Sequence, residues 1–161
     1  MSDNGEKNKK ILVVCTGNSC RSVMAEGLLK KRLKELKKGH IEVSSAGISA
    51  VGGMGPTLET IEVMKEEGVD MSGFKSRALT DELISGNDII LVMERLQKEN
   101  ILARAPWVSG KLYYLKEFAL GDDKKNAIDF DIRDPIGRPI EAYRYTKGKI
   151  KEAIDKIAER L

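Results

Sequence analysis

The chain has two cysteines, and both fall in one short stretch, Cys15-Thr16-Gly17-Asn18-Ser19-Cys20-Arg21-Ser22. An apolar run, 11–14, leads into it and a helical pattern leaves it. A turn from a buried strand into a helix aims successive backbone N–H groups at one point, and the helix N-terminus adds partial positive charge there. Such a cradle suits an anion with several oxygens. The residue types in it have matching uses. A helix N-terminus and a nearby guanidinium favour the thiolate, which is the nucleophilic form of Cys15. Arg21 can grip two phosphoryl oxygens at once, and more tightly in a transition state. Gly17 lets the loop turn without a side-chain clash. Ser22 can donate to a leaving thiolate. Asn18 can hold the loop, at a positive φ that asparagine tolerates.

Other chemistries fit less well. The paired glycines and lysine of a nucleotide-binding P-loop are missing. Two cysteines and the distant His40 cannot fill a four-coordinate zinc site. The cysteines are not spaced as a two-residue redox motif.

Phosphoryl transfer to a thiolate needs an acid to protonate the departing group. Asp134 is the best candidate, because it stands in a loop after the fourth apolar run and Pro135 fixes the turn that presents it. Asp129 and Asp131 compete for the role, and Asp-Pro as a plain turn is the alternative.

These residues need elements to hold them. Apolar runs at 11–14, 41–44, 88–93 and 111–115 read as strands, and helical spacing appears at 22–36, 57–67 and 95–103. A short helix starts at Thr80-Asp81-Glu82, a long loop covers 121–138, and Ile150, Ile154, Ile157 and Leu161 mark a closing amphipathic helix. Strands alternating with helices predict an α/β fold with a parallel sheet covered on both faces. Ligands of such sheets bind at the carboxyl ends of the strands, where strand order reverses. The loop after the first strand belongs there.

The bulk numbers agree with one globular domain. The chain has 161 residues, 41% hydrophobic and 33% charged. A net charge of +3 and 5% aromatic residues argue against a nucleic-acid partner. No apolar run reaches membrane-spanning length. The polar start, MSDNGEKNKK, reads as a flexible tail over 1–9 without the apolar segment of a signal peptide. The cytoplasm is therefore the expected location, where thiols stay reduced. The oligomeric state is not encoded in any feature of the sequence.

The chain resembles the low-molecular-weight protein tyrosine phosphatases and their relatives, the bacterial protein arginine phosphatases. The resemblance spans 10–161. It rests on VCTGNSCRSVMAEGLL, SSAGI at 44–48, SRALT at 76–80, the VME end of the third strand and DPIG at 134–137. It implies a three-layer sandwich with a four-stranded parallel sheet in the order 2-1-3-4 and helices on both faces. It also implies hydrolysis through a phosphocysteine with no metal or other cofactor, and a phosphorylated protein as substrate. By position, Cys15 matches the nucleophile, Arg21 the clamp, and Asp134 the acid and later the base. Residues Thr16, Gly17, Asn18, Ser19, Cys20 and Ser22 complete the phosphate-binding loop. Asn18, Ser22 and Ser45 match its braces. Cys20 matches a second loop cysteine that forms a reversible disulfide with the nucleophile.

Two positions depart from the pattern: Val23 stands where a proline is usual, and Phe74 where many members have a histidine. Tyrosine-specific members carry a bulky aliphatic residue at the position of Ser19 and aromatic residues after Asp-Pro. The small Ser19 and the pair Ile136-Gly137 favour phosphoarginine over phosphotyrosine. An arsenate reductase would need further cysteines. A cysteine-phosphorylated sugar-transport carrier would need neither Arg21 nor Asp134, and a non-catalytic phosphoprotein-binding module would not need the thiol and acid together.

Overall fold

Residues 9–126 and 129–161 are described in this computed structural model. The expected tail over 1–9 lies, apart from Lys9, outside them. Strands Lys10–Cys15 (β1), Glu42–Gly47 (β2), Ile89–Val92 (β3) and Leu112–Tyr114 (β4) pair in parallel. Their order is β2-β1-β3-β4, as the family resemblance implies. The helices are Arg21–Glu35 (α1), Leu58–Lys65 (α2), Asp81–Gly86 (α3), Arg95–Arg104 (α4), Leu115–Leu120 (α5) and Ile140–Arg160 (α6). Short 3-10 turns cover Pro106–Lys111 and Gly121–Asn126.

β1 lies centrally, and its period of two sends alternate side chains into two cores. Ile11, Val13 and Cys15 join one face with Met24 and Leu29 of α1 and Ile150, Ile154 and Ile157 of α6. Leu12 and Val14 join the other face with Ile84 of α3, Ile101 of α4 and Val108. The sheet is thus a middle layer between two helical layers. No helix among the described residues is long and apolar enough to cross a membrane.

The structure departs from the sequence pattern in its last third. The run 111–115 divides: β4 ends at Tyr114, and Leu115 opens α5, where it is fully buried. Glu117 turns the chain there by accepting the Tyr114 N–H at 3.1 Å. α6 begins at Ile140, ten residues ahead of the aliphatic repeat that announced it. Its first half buries Tyr143, Thr146 and Lys147, so its inward face does not read as apolar. Lys147 Nζ is satisfied by the Val63 carbonyl and Glu66 Oε1, both at 3.3 Å. Arg144 donates to Glu66 Oε2 from Nε at 3.0 Å and Nη2 at 2.9 Å. The Arg144 hydrogen bond, helped by Lys147, holds the Glu66 carboxyl below its usual range. These pairs tie α2 to α6.

Ile154→Ala should cost about 2–5 kcal/mol of stability, because it removes a fully buried side chain between α6 and the sheet. Leu58→Ala, at a site 81% exposed, should leave the unfolding free energy within about 0.5 kcal/mol of the parent. Denaturation curves of the two variants test both values.

Candidate active site

The parallel pairing brings the carboxyl ends of β1, β2 and β3 to one edge, so Cys15, Gly47 and the residues after Val92 meet there. Cys15 is the last residue of β1 and only 2% exposed. The chain then turns through 16–20 into α1. Asn18 makes the turn in the left-handed region, φ 54°, as expected of an asparagine there. Its own N–H points at Cys15 Sγ, 3.3 Å away.

A line of buried hydrogen bonds sets the polarity of the group next to the thiol. The Arg77 N–H donates to Asn18 Oδ1 at 2.9 Å, which identifies the carbonyl side of that amide. Asn18 Nδ2 must then donate, to Ser22 Oγ at 2.8 Å and Ser45 Oγ at 3.0 Å. Ser45 passes its own proton to Glu26 Oε1 at 2.6 Å. While its oxygen accepts from Asn18, Ser22 keeps its hydroxyl proton available to a Cys15 thiolate, 2.9 Å away. A donor to sulfur stabilises a thiolate and a thiolate leaving group.

Arg21, the first residue of α1, is 1% exposed. Its Nη1 is held by Glu94 Oε1 at 2.7 Å and the Ile132 carbonyl at 2.8 Å. Nη2 lies 3.4 Å from Asp134 Oδ2. Nε is buried without a hydrogen-bond partner among the described residues. A buried guanidinium N–H without an acceptor is costly, and the Nε–Nη2 edge is the fork that fits two oxygens of one anion.

The loop that carries Asp134 is fastened to the sheet edge at several points. Phe130 stacks on Tyr114 of β4, with ring centroids 5.5 Å apart. The Ile132 N–H donates to the Met93 carbonyl at 2.9 Å. Asp131 Oδ1 accepts the N–H of Arg95, the first residue of α4, at 3.0 Å. Asp129 Oδ1 accepts the Asp131 N–H at 2.8 Å. Both rival carboxylates are therefore committed to backbone donors, while Asp134 Oδ2 faces Arg21. Its other oxygen accepts the Ile136 N–H at 3.0 Å.

The remaining named residues are placed around the same loop. Gln97, fully buried in α4, donates to Thr16 Oγ1 at 3.0 Å. The Ser19 carbonyl accepts the Thr57 N–H at 3.2 Å. Cys20 is buried with its Sγ 3.6 Å from Thr57 Oγ1, and both cysteines are free thiols. Val23 is fully buried in the first turn of α1. Phe74 packs against the core, and the Glu26 carboxylate pairs with Lys30 at 2.7 Å. Gly17 is exposed, and a Cβ there would meet only Ser19 Oγ at 3.4 Å. The glycine without room for a side chain is Gly47, where a Cβ would lie 2.5 Å from the Thr16 carbonyl and 2.8 Å from Asn18 N.

Glu94, Gln97, Glu26 and Arg77 thus belong to the site, although sequence reasoning gave them no role. Glu94 had a legible signal, a carboxylate directly after a buried strand at its carboxyl end. The others are visible only through their partners. Among the described residues, no group of three or more His, Cys, Asp or Glu side chains is placed to hold a metal ion.

The turn from β1 into α1 thus holds a buried thiol, Cys15, and a buried guanidinium, Arg21. Residues 10–161 match the family model described as low molecular weight phosphotyrosine protein phosphatase, and the chain belongs to that family of metal-independent hydrolases. It is 38% identical over 152 residues to a protein-arginine-phosphatase of Geobacillus stearothermophilus, covering 94% of this chain and 95% of that one. It is 36% identical over 153 residues to a probable low molecular weight protein-tyrosine-phosphatase, EpsP, of Ralstonia nicotianae, covering 95% and 96%. A low molecular weight protein tyrosine phosphatase structure from T. tengcongensis superposes with a TM-score of 0.86 at 36% identity, covering 95% of this chain and 99% of that one.

Gly47→Ala should cost about 1–3 kcal/mol by forcing the Thr16 carbonyl away, and should weaken binding of inorganic phosphate measured by calorimetry. Gly52→Ala is the control, since the nearest atom to its Cβ would be 4.0 Å away.

Proposed function

We propose that the protein hydrolyses phosphorylated proteins through a phosphocysteine, with Cys15 as nucleophile, Arg21 as clamp and Asp134 as acid and then base. The observation that carries this reading is the unpartnered Nε of Arg21, buried in the cradle that also holds the Cys15 thiol. A phosphoryl group supplies the acceptors that this guanidinium edge lacks. Taking Nη2 as well, it displaces Asp134 Oδ2 from its 3.4 Å contact.

In the first step the thiolate attacks phosphorus along the line of the departing bond. That bond breaks, and the leaving nitrogen or oxygen takes the proton of Asp134. In the second step the Asp134 carboxylate takes a proton from water, the water oxygen attacks phosphorus, and the sulfur leaves as a thiolate. Ser22 donates to that sulfur, and the loop N–H groups and Arg21 carry the charge that builds on the equatorial oxygens. Family membership favours this hydrolase over a phosphocysteine carrier or a binding module.

We read phosphoarginine as the preferred substrate. Ser19 keeps the pocket wall small, and Ile136-Gly137 places no aromatic ring beside the acid. The named arginine phosphatase relative supports the same choice. Two free thiols fit the cytoplasm, and in an oxidising episode Cys20 would pair with Cys15 and protect it.

Cys15→Ser should reduce turnover of an aryl phosphate to background, and an active variant would overturn the mechanism. Asp134→Asn should lower kcat by about 10²–10⁴ and leave binding of inorganic phosphate intact, while undiminished turnover would move the acid to Asp131. Ser19→Ile should shift the ratio of kcat/KM on phosphoarginine and phosphotyrosine peptides roughly tenfold toward phosphotyrosine, and an unchanged ratio would remove Ser19 as the determinant.

A further inference from the structure

A groove of about 530 Å³ leads away from the candidate active site, between the 129–138 segment and α6. Ile132 and Asp134 line it, and both also meet Arg21, at 2.8 Å through the Ile132 carbonyl and at 3.4 Å through Asp134 Oδ2, so the groove adjoins the candidate site. Its charge is unevenly distributed. Lys116 of α5, Arg133 and Arg138 of the loop, and Lys149 of α6 line it. No carboxylate among the described residues pairs with any of the four, and Lys149 rests on the exposed ring of Tyr145, 5.4 Å from its centroid. The groove's carboxylates are engaged elsewhere, Asp131 and Asp129 on backbone N–H groups and Asp134 on Arg21 and the Ile136 N–H. With Asp134 set against Arg21, the lining still holds four cations to the two carboxylates of Asp129 and Asp131, so the groove keeps a net positive charge.

We propose that this groove binds acidic side chains of the substrate protein, in the segment next to its phosphorylated residue. The proposal rests on the phosphatase reading and adds a sequence preference to it. A phosphoprotein whose phosphorylated side chain sits on Cys15 must run its backbone out over the rim. An acidic segment that leaves along the groove meets four cations that have no carboxylate partner among the described residues. Each exposed pair is weak and screened by salt, so the effect is a preference among substrates and not a requirement.

The test uses the full chain and three phosphopeptides with the same phosphorylated residue. One has neutral flanks, one has aspartates on the N-terminal side, and one has them on the C-terminal side. At low salt, kcat/KM on one of the acidic peptides should exceed that on the neutral peptide by roughly three- to tenfold. The gain should shrink in high salt and disappear in the double variant Arg138→Gln, Lys149→Gln. Turnover of a small aryl phosphate should be the same in wild type and variant, which also confirms that the variant is folded. As a second variant, Arg138→Glu should turn the preference toward lysine-flanked peptides.

Equal rates on the three peptides would overturn the proposal, as would a gain that survives in the double variant. A double variant that changes the mass in solution and leaves the peptide ratio alone would assign the groove to a second copy of the chain. A wild type without aryl phosphate turnover would overturn the phosphatase reading, and the groove's role with it.

Discussion

A guanidinium held at 1% exposure beside a helix N-terminus is the constraint on which the site depends. Its charge is out of water and next to the positive end of the α1 dipole, two costs that demand compensation. Glu94 supplies a carboxylate from the end of β3, and the Ile132 carbonyl supplies an acceptor from the acid loop. The pairing leaves Nε without a hydrogen-bond partner among the described residues, and Nη2 with only the 3.4 Å contact to Asp134. Through the Ile132 carbonyl the same ion also fastens the loop that carries Asp134.

The sheet makes that compensation available. β1 and β3 are neighbours in parallel, so the residues after Cys15 and after Val92 leave the sheet on the same edge. β2 pairs on the other side of β1 and sends Ser45 and Gly47 beneath the turn. Gly47 lets the loop backbone close down, and Ser45 links Asn18 to the buried carboxylate of Glu26. Hydroxyl, amide and carboxylate groups buried together are tolerable only when each has its partners. Here that satisfaction also gives the line a direction that ends on the sulfur.

Strongly periodic parts of the fold were legible before any coordinates. β1, α1 and the alternation of strands and helices follow from apolar spacing, because one face of each is packed against a single core. Legibility failed where packing uses polar side chains or where an element is very short. α6 buries Lys147 and Thr146 in its first half, and Gly148 interrupts the pattern, so only its aliphatic end was announced. β4 is three residues long, and a side chain to backbone bond from Glu117 decides where it becomes a helix. The departures at Val23 and Phe74 are absorbed by packing, Val23 fully buried and Phe74 against the core.

By itself the sequence determined which groups were available and which of them were local to one another. Cys15, Asn18, Arg21 and Ser22 had to share one turn, because seven residues of chain cannot separate them when a strand runs straight into a helix. The choice among distant groups was made only by the tertiary structure. Asp134, Asp131 and Asp129 are alike in composition and nearly alike in position. Anchoring of the loop commits two of them to backbone N–H groups and turns the third toward Arg21. Glu94, Gln97, Glu26 and Arg77 entered the site for the same reason. A hydrogen bond between residues 59 or 73 positions apart depends on how layers pack, and no spacing along the chain encodes it.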